Sequence, residues 1–288
     1  MTRRLMASIA ALAFVAAACS STPAATPVAD PAESVAQSLD ALGQAKTVHL
    51  RADVTGSIPM DLGALVGGGG LGASPRPGAS TDLGGSYIEA TVDIPNKQAQ
   101  AIVAVPPILG LKLELIQIGD TSYTKINLMG DTWQKSTSTP APDSSAAPSP
   151  SAGLQQTIDD VKKALSAAGV TTEKLADEKC GDADCYHVKI TMPPSALSGA
   201  AGDTLGGLGL GGTPEPGASP LIGGDLTVEI WARKSDMRPV KLVIGTTTEG
   251  STLAVNMIMD KYDEAVTVTA PPADQVTEGG FQLPSIAP

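Results

Sequence analysis

Apolar and polar residues alternate with a period of two over most of this chain, and no other feature restricts its fold as tightly. Val48, Leu50, Ala52 and Val54 alternate with His49, Arg51, Asp53 and Thr55. A period of two puts one set on each face of a strand and cannot give an amphipathic helix. The pattern returns at Ile88, Ala90, Val92 and Ile94, at Ala99 to Val105, at Leu111, Leu113 and Leu115, and at Tyr186, Val188, Ile190 and Met192. It recurs at Leu226, Val228, Ile230 and Ala232, at Val240, Leu242 and Ile244, and at Leu253, Val255, Met257 and Met259. Short turns such as Pro95-Asn96 and Gly119-Asp120 separate the runs, which favours antiparallel hairpins over crossover units.

Each run offers one apolar face, as a single large sheet or a β-sandwich would. Two amphipathic helices favour the single sheet, because each needs an apolar surface to cover. The first starts at Asp30-Pro31-Ala32-Glu33, with Asp30 as N-cap, Pro31 at the first helical position and Glu33 placed for a capping box. Its stripe is Val35, Leu39 and Leu42, and Gly43 suits its end. The second spans residues 154–168, with Leu154, Ile158, Val161 and Leu165 on one side. The expected fold is α+β and mainly β: one large antiparallel curved sheet, a half-barrel, with helices packed on its concave face. Two helices supply only about four apolar side chains each against several from each of roughly ten strands, so much of that face stays uncovered. A hydrophobic cavity for an apolar ligand is the expected result. Its candidate lining is Val48, Leu50, Ile88, Val92, Val103, Leu113, Val188, Ile190, Val228, Ile230, Leu242, Val255 and Met257.

The start of the chain has a different character. Arg3 and Arg4 precede an apolar run from Leu5 to Ala18 that ends in three alanines and Cys19. That run is short of the roughly 20 residues of a bilayer span and has the form of an export signal. It resembles bacterial lipoprotein signals, which implies removal of residues 1–18 and attachment of diacylglyceryl and palmitoyl chains to Cys19. Residues 19–29 then read as a flexible tether. The formal charge is −11, from 19 basic and 30 acidic residues. Loss of Arg3 and Arg4 takes it to about −13, which repels nucleic acid and gains nothing from anionic headgroups. Cys180 and Cys185 can close a small disulfide ring in an exported protein. Two thiolates alone fall short of the four ligands of a structural zinc site.

The domain is expected over residues 30–272, with Gly/Pro-rich inserts at 61–85 and 193–224, a linker at 136–152 and a tail at 273–288. His49 and His187 alternate with apolar neighbours and are expected to face solvent. The chain carries no G-x-S-x-G elbow, no H-E-x-x-H helix and no Walker A loop. The reading is therefore a protein that is not an enzyme, with no metal and no cofactor.

Several segments resemble the LppX/LprG-type lipoproteins of actinobacteria: Gly119-Asp120-Thr121-Ser122-Tyr123, Gly130-Asp131-Thr132-Trp133-Gln134-Lys135, Asp184-Cys185-Tyr186-His187-Val188, Val228-Glu229-Ile230-Trp231, Arg238-Pro239-Val240-Lys241-Leu242, and Tyr262-Asp263 followed by residues 266–272. The resemblance implies a half-barrel akin to the LolA/LolB carriers and a cavity for an acylated lipid or glycolipid. It also implies a lipid anchor on the extracytoplasmic side of the cell membrane, with an envelope transporter as a further partner. The alternative is an envelope sensor or protein-interaction module built on the same half-barrel.

Overall fold

The computed structural model describes residues 30–58, 80–137, 150–197, 224–248 and 251–279. Cys19 with the signal and tether, most of both inserts and residues 138–149 of the linker lie outside them.

Helix α1 runs over Pro31–Gly43, and Asp30 caps it by accepting a hydrogen bond from the Ala32 amide at 2.9 Å. Glu33 accepts from Gln37 Nε2 at 3.1 Å instead of turning back to close a capping box. Helix α2 covers Pro150–Leu165. The strands are β1 (Thr47–Ile58), β2 (Thr81–Asp82), β3 (Ser86–Asp93), β4 (Gln98–Val105), β5 (Leu111–Ile118), β6 (Thr121–Ile126) and β7 (Trp133–Thr137). After α2 come β8 (Thr171–Lys174), β9 (Glu178–Cys180), β10 (Ala183–Met192), β11 (Leu226–Arg233), β12 (Pro239–Thr248), β13 (Ser251–Asp260) and β14 (Val276–Glu278).

All of these strands join one sheet, in the order β14-β7-β6-β5-β4-β3-β1-β13-β12-β11-β10-β8, with β2 paired to β1 and β9 to β10. Consecutive hairpins explain most of that order. The long-range step pairs β1 with both β3 and β13, which brings the two halves of the chain together at the centre.

Four boundaries differ from the sequence reading. The segment from 273, expected as a tail, enters the sheet, because β14 pairs in parallel with β7, and the sheet is mixed rather than purely antiparallel. Ser136 and Thr137, read as linker, belong to β7, and residues 150–152 belong to α2. The first insert yields β2 before β3 starts. Strands β8 and β9 were not foreseen, since Thr171-Thr172-Glu173-Lys174 has no apolar alternation and follows the helix as a polar edge.

The helices lie over one end of the sheet. Val35 packs with Val188, Ile190 and Ile230 in a buried cluster, and Leu39, Leu165, Val170, Met192, Val228 and Leu242 pack around it. Helix α1 accordingly touches α2, β8, β10 and β12.

Candidate functional site

Residues directly opposite one another on antiparallel strands share a face, so the register shows which side chains form one surface. Val188 pairs with Ile230, Ile230 with Leu242, Leu242 with Met257 and Met257 with Ala52. Ala52 also pairs with Ile88, Ile88 with Val103, Val103 with Leu113 and Leu113 with Ile126. This row of apolar residues crosses the sheet from β10 to β6 without a polar member. A parallel row runs Ile190, Val228, Ile244, Val255 and Val54, and another joins Met259, Leu50, Ala90, Ala101 and Leu115. The pairing of Val48 with Val92 belongs to the same face. All of the candidate lining residues therefore lie on one side of the sheet.

They are not equally covered. Val48, Val188, Ile190, Ile230 and Val255 are buried, Val188 and Ile190 beneath the helices. Leu50, Val92, Val103, Leu113, Val228, Leu242 and Met257 are half-buried. Ile88 is 37% exposed and Leu115, on the neighbouring row, 36%. Large apolar side chains thus remain open where β3 and β5 lie beyond the helices. A run of aliphatic residues left half open in this way can take up an apolar chain by burial and offers no reactive group.

The opposite face carries the charges and is sealed in one place. His187 is 5% exposed, contrary to the expectation that it faces solvent. Its ring stacks on Trp231 at 4.0 Å, and its Nε2 lies 3.0 Å from Glu229. Its Nδ1 is 3.4 Å from Glu178, which also accepts from Trp231 Nε1 at 3.0 Å. Lys241 Nζ lies over the indole, 4.2 Å from the ring centroid. The signal for this was the direct pairing of His187 with Trp231: a bulky aromatic on the polar side shields its cross-strand neighbour. His49 is less enclosed and lies between Asp260 at 2.7 Å and Glu89 at 3.4 Å. A groove of about 180 Å³ at β3 to β5 is lined by Glu89, Thr91, Gln100, Ile102, Glu114, Ile116 and Trp133, together with Ala90, Ala101 and Leu115 of the apolar row.

Cys180 and Cys185 form a disulfide across the β9–β10 hairpin, with Cα atoms 6.0 Å apart and Cys185 fully buried. At the centre of the sheet, Tyr262 donates to the Pro239 carbonyl at 2.5 Å, and burial pushes its phenol far above the usual tyrosine range. Asp263 accepts from the Lys46 amide at 2.8 Å and pairs with Arg238. The Lys46 hydrogen bond, then Arg238, holds its carboxyl below the ordinary value. These contacts fix the segment that leads from β13 to the β7 edge.

No protein-family model and no curated protein matches this chain. Solved structures similar to it include the lipoprotein LppX of Mycobacterium tuberculosis, at 16% identity and a TM-score of 0.41, over 83% of this chain and 97% of that one. LprF of Mycobacterium bovis is similar at 15% identity and a TM-score of 0.46, over 85% of this chain and 99% of that one. A putative outer membrane lipoprotein-sorting protein domain from Vibrio parahaemolyticus follows at 9% identity and a TM-score of 0.25, over 82% of this chain and 94% of that one.

Proposed function

We propose that this protein is a membrane-anchored lipoprotein that holds an acylated lipid against the open part of its apolar sheet face, for transport or presentation in the cell envelope. The observation that supports this reading is the unequal cover of one continuous apolar surface. Helices bury it at β10 to β12, while Ile88 and Leu115 remain exposed where β3 to β5 continue it. In this reading the sheet curves as a half-barrel with the helices on its concave side, and the lipid completes the core that the helices leave unfinished.

Binding is then burial rather than chemistry. Each buried methylene is worth about 0.8 kcal/mol, so one long acyl chain supplies on the order of 10 kcal/mol before ordering costs. Cys19 carries the anchor, and residues 20–29 act as a coil with a reach of roughly 15–20 Å. That reach lets the domain meet the extracytoplasmic surface of the cell membrane without electrostatic attraction.

Native mass spectrometry of protein extracted from its own cells tests both parts in one experiment. The expected spectrum shows a chain that begins at residue 19 with added acyl mass, and a second, releasable lipid. A chain that carries no releasable lipid and instead co-purifies in a fixed ratio with a protein would favour the interaction-module reading.

A further inference from the structure

Leu109, Leu128 and Met129 are exposed to 62%, 50% and 63% of their surface. They come from two turns at one end of the sheet, the β4–β5 turn and the 3₁₀ turn Asn127–Met129 after β6. Asn127 locks these turns together. Its Nδ2 donates to the Gly110 carbonyl at 2.8 Å and its Oδ1 accepts from the Lys112 amide at 2.8 Å. Leu109 adopts φ 51°, a left-handed conformation that costs a bulky residue energy and suits glycine or asparagine better. A position that would accept a small polar residue instead presents a leucine to solvent, beside two more large apolar side chains.

The other end of the same hairpins shows the contrast. Its turns are Pro95-Asn96-Lys97 and Gly119-Asp120, in which Pro95, Asn96, Lys97 and Asp120 are exposed and no large apolar side chain is presented. The apolar tip also continues the open face: Leu113 and Ile126, which flank its turns, pair with each other in the row that contains Ile88. The nearby cation, Lys112, is held by Glu114 at 3.1 Å, and the chain as a whole is acidic. Such a tip has no attraction for anionic headgroups, and its complement is the hydrocarbon beneath them.

We propose that Leu109, Leu128 and Met129 form a wedge that enters the apolar region of a lipid bilayer, with the open sheet face meeting the membrane end-on. The wedge rests on the exposure and bracing of this tip, and it stands whether or not the face carries a lipid or Cys19 an anchor.

The test uses residues 19–288 with Cys19→Ser, which span every described residue, in sedimentation with phosphatidylcholine vesicles. Replacing all three tip residues by Asp should weaken vesicle binding by about tenfold or more, since each loses a buried aliphatic side chain. Replacing them by Trp should strengthen it, and this second variant decides the matter if circular dichroism shows the Asp protein unfolded. Equal binding by the folded Asp variant, no gain from Trp, no binding of the starting protein, or binding that requires membrane proteins and not lipid alone would each overturn the wedge.

Discussion

The two halves of this sheet are built from the same sequence pattern and come to different ends. Strands β10 to β12 and strands β3 to β5 both alternate apolar and polar residues, and their apolar sets lie in the same cross-strand rows. Around β10, helices α1 and α2 complete the core, and on the reverse side Trp231 shields His187. Around β4, on the same face, Ile88 and Leu115 keep more than a third of their surface. Alternation thus specifies which side chains share a face. Whether that face becomes core or an open surface depends on what is laid over it.

The largest expected effect breaks or supports that contrast directly. Ile190→Ala empties a site that is 2% exposed beneath α1 and should cost about 2–5 kcal/mol. Ile88→Ala, at 37% exposure on the same face, should cost less than about 1 kcal/mol. Urea titrations of the two variants with unchanged slopes would check the difference. Equal losses would mean that the β3–β5 face is packed as core, leaving no room for a ligand.

A smaller effect concerns the Cys180–Cys185 ring, which closes only a short loop within the covered half. The chain-entropy model gives about 2 kcal/mol for such a loop, less than for a long one. Replacing both cysteines by Ser should therefore loosen the β9–β10 hairpin in hydrogen exchange while the β11–β13 amides keep their protection. Loss of protection across all of these strands would show that the hairpin nucleates the covered half.

The parts of this arrangement that were legible in the sequence are those set by local periodicity. Within each strand the candidate lining residues share a face because a period of two cannot place them otherwise, the register then joins those faces across the sheet, and Asp30 and Pro31 marked the helix start. Strands β8 and β14 were invisible because they are short and polar, and their pairing is decided by the neighbour they find, β10 and β7. His187 departs from the expectation because alternation reports a side and says nothing of cover: its burial comes from Trp231 and Glu229 of β11 and Glu178 of β9, on two different strands. The wedge at Leu109 was missed for a related reason, since Asn127 joins two turns that are separated in sequence.

The smallest expected effect sharpens the comparison by asking where the halves should be alike. Both carry a carboxylate paired with two lysines. Asp177, in the covered half, is held below its ordinary value of 3.8, first by its hydrogen bond from Lys234. Glu114, in the open half, is pushed up by burial but ends below its ordinary 4.5, because hydrogen bonds from Lys112 and Lys125 outweigh that effect. A carboxyl with a depressed folded pKa binds its proton more weakly than the unfolded chain does. Its contribution is complete above the ordinary value and is lost as the pH falls through the lower folded one. Asp177→Asn and Glu114→Gln should each flatten stability against pH below about 4.5, by no more than about 1 kcal/mol given their partial exposure. Titration of unfolding midpoints from neutral pH to below the two ordinary values would measure both. If Asp177→Asn flattened the curve far more than Glu114→Gln, the halves would differ in their charged side as well, and the helices would not be the sole source of the contrast.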